Sequence, residues 1–207
     1  MDLFTQLGWA LGFATLSGVN LYLTVFVTGL AVRFNWVDLA GQHEQFAILG
    51  DHWIIGVAGF LFAVEFFADK IPWVDSTWDV LHTIVRPAGG ILLALTALGD
   101  LDPAMSVVAG LLSGGTTLAT HSLKAGGRLL INMSPEPVSN AVASVTEDGL
   151  VLGGLGLMAI APVVGFFVFL AVAILAVIMT TKLWGKISKG IIALRARFRK
   201  NGPDTPG

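Results

Sequence analysis

Leu3–Val32 reads LFTQLGWALGFATLSGVNLYLTVFVTGLAV and contains no charged residue. A helix of ~20 apolar residues crosses a bilayer core, so this run is long enough for one tilted crossing. Met1–Gln6 carries no positive charge ahead of it. The run is therefore expected to be a retained first helix rather than a cleaved secretory signal.

The rest of the chain agrees with a membrane environment. Of 207 residues, 55% are hydrophobic and only 13% charged, with a mean hydropathy of +0.79, whereas soluble domains are ~25% charged. A water-soluble fold could not hide that much apolar surface. The absence of cysteine excludes disulfides, thiolate catalysis and cysteine-ligated metal sites.

Outward from the first run, Arg33–Asp51 is mixed and polar, with Trp36 and Trp53 where interfacial aromatics sit, and reads as an external loop. Trp53–Ala68 is a second apolar segment, stopped at Asp69-Lys70-Ile71-Pro72 by the proline. A third starts near Ser76, amphipathic at first and wholly apolar from Ala88 to Gly99, with Pro87 at the change. After the turn Asp100-Leu101-Asp102-Pro103, Ala104–Thr120 forms a fourth that runs on to Arg128, and Pro135 and Pro137 interrupt the chain. Gly149–Thr181 spans 33 apolar residues, too many for one crossing, so it is split at Ala161-Pro162 into a fifth and a sixth segment.

The expected fold is all-α: a polytopic helical membrane protein of about six segments, some short or discontinuous, with residues 1–184 as the membrane domain. Residues 185–207 form a basic cytoplasmic tail. Seven of the twelve Lys and Arg residues lie between Lys182 and Lys200, and such cations are retained on the cytoplasmic side and attracted to anionic lipid. With both termini inside, Lys70, Lys124 and Arg128 also fall at internal ends. The expected location is a bacterial inner membrane.

Leu16-Ser17-Gly18 recurs as Leu112-Ser113-Gly114, each followed by small or hydroxyl-bearing residues, Asn20 and Thr24 against Thr116, Thr117 and Thr120. In this topology the two segments run in opposite directions, as an inverted repeat with a mid-membrane site requires. Close helix packing through small residues is the plainer explanation.

The chemistry concentrates elsewhere. Glu65 and Asp69 share a helix face, and Asp75, Asp79, His82 and Arg86, spaced by four, three and four, share another. Pressed between apolar segments, such charges cost ~2.5–3.5 kcal/mol each at a bilayer centre and need partners. A second set comprises His121, Lys124 and Arg128, then Glu147 and Asp148. Arg86 can engage Asp79 or a carboxylate on another segment, and cross-pairing of Arg86 with Glu147 or Asp148, and of Lys124 or Arg128 with Asp75 or Asp79, would neutralise both sets. With Ser17 and Asn20, these residues are the candidate path for a substrate or ion. His82 is the group able to change protonation near neutral pH. Ion pairs that only hold helices together are the plainer reading.

No dinucleotide loop or P-loop is present, and the four histidines, His43, His52, His82 and His121, form no close metal pair, so no cofactor or metal is expected. Nucleic-acid binding has no support beyond the tail.

Ser17-Gly18-Val19-Asn20-Leu21-Tyr22, Glu65-Phe66-Phe67-Ala68-Asp69-Lys70-Ile71-Pro72-Trp73-Val74-Asp75, and Trp78-Asp79 through His82 to Arg86-Pro87 carry a resemblance. The sequence resembles, over roughly residues 5–185, the membrane proteins grouped as domain of unknown function 4126. That resemblance implies a membrane protein and no mechanism. The expected activity is a transporter or lipid-carrier translocase for a small or anionic substrate such as a phosphate head group, with proton coupling through Asp79 or Glu65 and His82. Membrane lipids and further copies of the chain are the expected partners. An ion channel and a non-transporting scaffold are the alternatives, and a lipid-directed enzyme, with Asp79 and His82 as base and acid, ranks below them.

Overall fold

The computed structural model describes residues 3–37, 44–132 and 137–200, and the regular secondary structure among them is all helical. Six α-helices follow in order: α1 (Leu3–Arg33), α2 (His52–Ala68), α3 (Pro72–Leu98), α4 (Pro103–Asn132), α5 (Pro137–Ile160) and α6 (Pro162–Lys200). A 3-10 helix, Glu44–Gly50, precedes α2. Four helices have stretches long and apolar enough to cross a membrane: Leu3–Arg33, Trp73–Leu98, Val138–Ile160 and Pro162–Gly185. A fifth span results if the 3-10 helix and α2, bent by 58°, count as one. By length and composition the described residues thus hold four to five candidate spans of a multi-pass membrane protein, counting α1 as one; six membrane segments, as expected from the sequence, are not shown.

Local chemistry sets the boundaries. Asp51 caps α2 by accepting from the Trp53 N–H at 2.8 Å, and Asp102 accepts from the N–H groups of Ala104 and Met105 at 3.0 and 3.1 Å at the start of α4. Pro72, Pro103, Pro137 and Pro162 each open a helix, where the missing N–H is not needed. Gly99 ends α3 at φ 72°, a conformation favouring glycine. α3 continues as helix through Pro87. The basic stretch from Lys182 to Lys200 continues α6 as helix, beyond the apolar span that ends at Gly185. Pro135, His43 and residues 201–207 lie outside the described residues.

One residue reorganises α1. Asn20 has φ −150° and ψ 100°, an extended conformation inside the helix. Its side-chain oxygen accepts from the Leu23 N–H at 2.9 Å, so it acts as an N-cap for the residues beyond. The two halves, 3–19 and 21–33, fold back on each other. Trp9 and Ala31 consequently line one cavity of about 350 Å³. Phe13 lies 6.0 Å from the ring of Phe46, while Gly29 backs onto the carbonyl of Leu49 in the same 3-10 helix.

This fold-back corrects two expectations. Thr117 donates to the carbonyl of Ala14 at 2.7 Å and Lys124 to that of Val19 at 3.1 Å, so the first half of α1 and α4 run in the same direction. Leu16-Ser17-Gly18 and Leu112-Ser113-Gly114 therefore lie on helices that run in parallel, Gly18 against Thr117 and Thr120 and Gly114 against Ile91, and not in two inverted halves. Any Cβ on Gly18 would run into Thr120 and the Thr117 carbonyl, which is why a small residue stands there.

The chain ends also separate. Leu3 and Leu7 sit beside Leu98, Leu101 and Met105, and Gly8 touches the carbonyl of Pro162. Leu183, next to the basic stretch, packs instead on Gly126. The N-terminus thus lies at one end of the bundle and the basic end of α6 at the other, because a helix that doubles back adds one reversal. Arg33 stays at the N-terminal end and Lys70 at the opposite one.

The bundle is divided along its length. Around Trp9, Phe13, Val32, Phe46, Leu93, Ala97 and Met158 it is a closed apolar core. Around the tip of α1 it holds buried charges.

Candidate functional site

The tip of α1 meets the ends of α2 and α5 and the adjoining halves of α3 and α4. Residues 16–19 end a helical half, so the carbonyls there lack the N–H groups that a continuing helix would supply. Cations take their place. Arg86, wholly buried on α3, donates through Nη1 to the carbonyl of Gly18 at 3.0 Å, and Lys124 on α4 donates to that of Val19.

Each cation then gathers carboxylates. Arg86 Nη2 holds Glu65 Oε1 in a short contact and reaches Asp79 only at 3.9 Å. Lys124 Nζ stands 3.4 Å from Glu65, 3.3 Å from Asp69 and 3.3 Å from Glu147. Arg128 clamps Glu147 with Nε at 3.0 Å and Nη2 at 2.7 Å, a bidentate pair, and contacts Asp69 at 3.3 Å. It also donates to the backbone carbonyls of Asp69 and Asn140.

The expected cross-pairing is therefore replaced. Arg86 pairs with Glu65 rather than Glu147 or Asp148, and Lys124 and Arg128 pair with Asp69 and Glu147 rather than Asp75 or Asp79. The register of α3 and α4 explains it. These helices are antiparallel with Arg86 against His121, which brings Asp75 level with Asn132, whose amide donates to it at 3.0 Å. Asp148 is held by the amide of Asn20 at 3.0 Å.

The two histidines differ in their freedom. A guanidinium can only donate, so Arg86 Nη1, 3.0 Å from His121 Nδ1, makes that nitrogen an acceptor. His121 then carries its proton on Nε2, which faces the carbonyl of Asp79 at 3.1 Å. His82 donates from Nδ1 to the Trp78 carbonyl at 2.7 Å, leaving Nε2 facing the hydroxyl of Tyr22 at 3.0 Å.

All thirteen residues singled out from the sequence lie around this tip, with Ser17 buried beside it. Sequence reasoning passed over Tyr22, Asn132 and Asn140. Asn132 continues the stripe of His121, Lys124 and Arg128 by one further step of four, a signal present in the sequence. Asn140 donates to Asn132 at 2.9 Å, closing a chain from Asp75 to Arg128. Among the described residues no group of three His, Asp or Glu is placed to hold a metal ion.

Residues 7–182 match the family described as a domain of unknown function, DUF4126. The chain belongs to that family. The match covers every residue of the DUF4126 charge cluster and, from residue 7 on, both halves of the broken helix. No curated protein and no solved structure matches the chain.

Proposed function

We propose that this DUF4126 protein is a small secondary transporter or lipid-carrier translocase, moving a small or anionic substrate with proton coupling. The observation that carries this reading is the helix broken at Asn20 inside a cluster of buried charges. Irregular backbone at membrane depth survives only where it is buried in protein or lines a cavity, and in many transporters such a break marks the substrate site. Buried ionisable groups are costly enough in a membrane that a path for ions or polar solutes is their usual context. In this reading the protein sits in a bacterial inner membrane as a homo-oligomer among lipids, with its basic end in the cytoplasm.

The test is flux in reconstituted vesicles. Asp79→Asn and Arg86→Gln should abolish substrate or proton movement in protein that still elutes as a folded particle. Unchanged flux in both variants refutes the reading. A scaffold is favoured by one observation, that every cation of the cluster is already matched by a carboxylate. If that is the whole role, exchanging the charges of Glu65 and Arg86 together restores stability and no other property changes.

A further inference from the structure

α6 is longer than a membrane crossing needs. It runs for 39 residues, Pro162–Lys200, while its apolar span ends at Gly185. The fifteen residues 186–200 add a further ~22 Å of helix at ~1.5 Å each. Leu183 packs on Gly126 and Thr180 donates to the Ala119 carbonyl, so α6 runs beside α4 up to this level. There α4 stops following. It ends at Asn132, six residues past Gly126, whereas α6 continues for seventeen residues past Leu183.

The sequence of this extension carries two coupled patterns. Leu183, Ile187, Ile191, Leu194 and Phe198 recur at steps of four, four, three and four, which places them on one stripe of a helix. The stripe prolongs, beyond the end of α4, the face on which Leu183 meets that helix. By the same register Lys186 and Arg197 fall along one edge of the stripe, and Arg195 and Arg199 along the other. No acidic residue stands between Asp148 and Asp204 to balance them.

An apolar stripe edged by cations on both sides fits the boundary of an anionic leaflet. The acyl region takes the stripe, and lipid phosphates lie within reach of long basic side chains that snorkel out of it. A second copy of the helix would instead bring the same cations against these, and like charges repel. Trp184, 59% exposed, stands in the last turn of the span, where an interfacial aromatic belongs. Gly185 and Gly190 bracket the exit from the span, with Ser188 between them, and glycine and serine positions are where helices bend.

We propose that residues 186–200 are an in-plane amphipathic helix that turns off the span at Gly185–Gly190 and binds the surface of an anionic phospholipid leaflet through its Ile187–Phe198 stripe. A transporter and a scaffold would both use such a contact, so the test does not depend on flux.

The chain has no cysteine, so full-length Ile191→Cys, on the stripe, and Ala196→Cys, opposite it, can each carry one environment-sensitive dye. The labelled proteins are reconstituted in phosphatidylcholine vesicles with and without phosphatidylglycerol. Quenching by aqueous acrylamide should fall at least ~twofold at position 191 when the anionic lipid is present and stay unchanged at position 196. Screening in ~1 M NaCl should restore most of the quenching at position 191. Should Ile191→Cys fail to fold, Leu194→Cys takes its place on the same stripe. Quenching at the stripe position that is equal in the two kinds of vesicle overturns the proposal, and so does a fall at position 196 as large as that at 191. Disulfide cross-linking between Ile191→Cys copies whatever the lipid would assign the stripe to a second copy and overturn it equally.

Discussion

Glu65 and Arg86 illustrate what a single pair does in a setting without water. Both are completely buried, and each has a further partner, Lys124 for the acid and the Gly18 carbonyl for the base. Removing one member leaves an uncompensated buried charge, so Glu65→Gln or Arg86→Gln should each cost ~3–5 kcal/mol. The double variant should cost clearly less than the sum, measured by unfolding in mixed micelles. Strict additivity would mean that the two side chains do not act on each other. A second residue-scale test concerns glycine. Gly18→Ala forces a methyl into Thr120 and the Thr117 carbonyl and should destabilise by ~1–3 kcal/mol, whereas Gly115→Ala, which meets nothing within 4 Å, should be near neutral.

At the scale of the element, α1 is two half-helices hinged on one side chain. Asn20→Ala removes the oxygen that accepts from Leu23 N–H and should cost ~1 kcal/mol, and Asn20→Ser should recover part of that loss in the same unfolding assay. The fold-back itself is open to chemical mapping, since the chain has no cysteine of its own. Single cysteines at Leu3 and Phe34, both exposed, should react with an impermeant maleimide from the same side of the membrane. A cysteine at Trp73, 86% exposed near the turn between α2 and α3, should react from the other side. Labelling of Leu3 and Phe34 from opposite sides would mean that α1 crosses once, and the hairpin would be wrong. The break was only partly legible in the sequence. Asparagine is a good cap, but one polar residue inside an apolar run also reads as ordinary packing.

For the whole molecule, the reversal at Asn20 sets which chain end lies where. Lys70, Lys124, Arg128 and the basic end of α6 gather at one end of the bundle, and Arg33 stands at the other with the N-terminus. In the proposed orientation the positive-inside tendency puts the basic end on the cytoplasmic side. A fluorescent protein fused after residue 207 should be bright, and alkaline phosphatase fused at Phe34 should be active. The reverse pattern would invert the orientation. The sidedness of the charges was readable from the sequence because composition alone carries it, while the position of the N-terminus depended on counting reversals, and a helix that turns back inside the membrane looks like a single span when read as hydropathy.

By itself the sequence determined that this is an all-helical membrane chain, where most helices begin and end, and which ionisable residues are displaced from water. Those properties are local or additive: apolar length, proline and capping residues, and the solvation cost of a charge. Partner choice was decided only by tertiary structure. Arg86 meets Glu65, and Lys124 meets the Val19 carbonyl, because α1 doubles back and α3 and α4 adopt one particular register. Pairing energy at a few ångströms depends on distances between helices, which no spacing along the chain encodes.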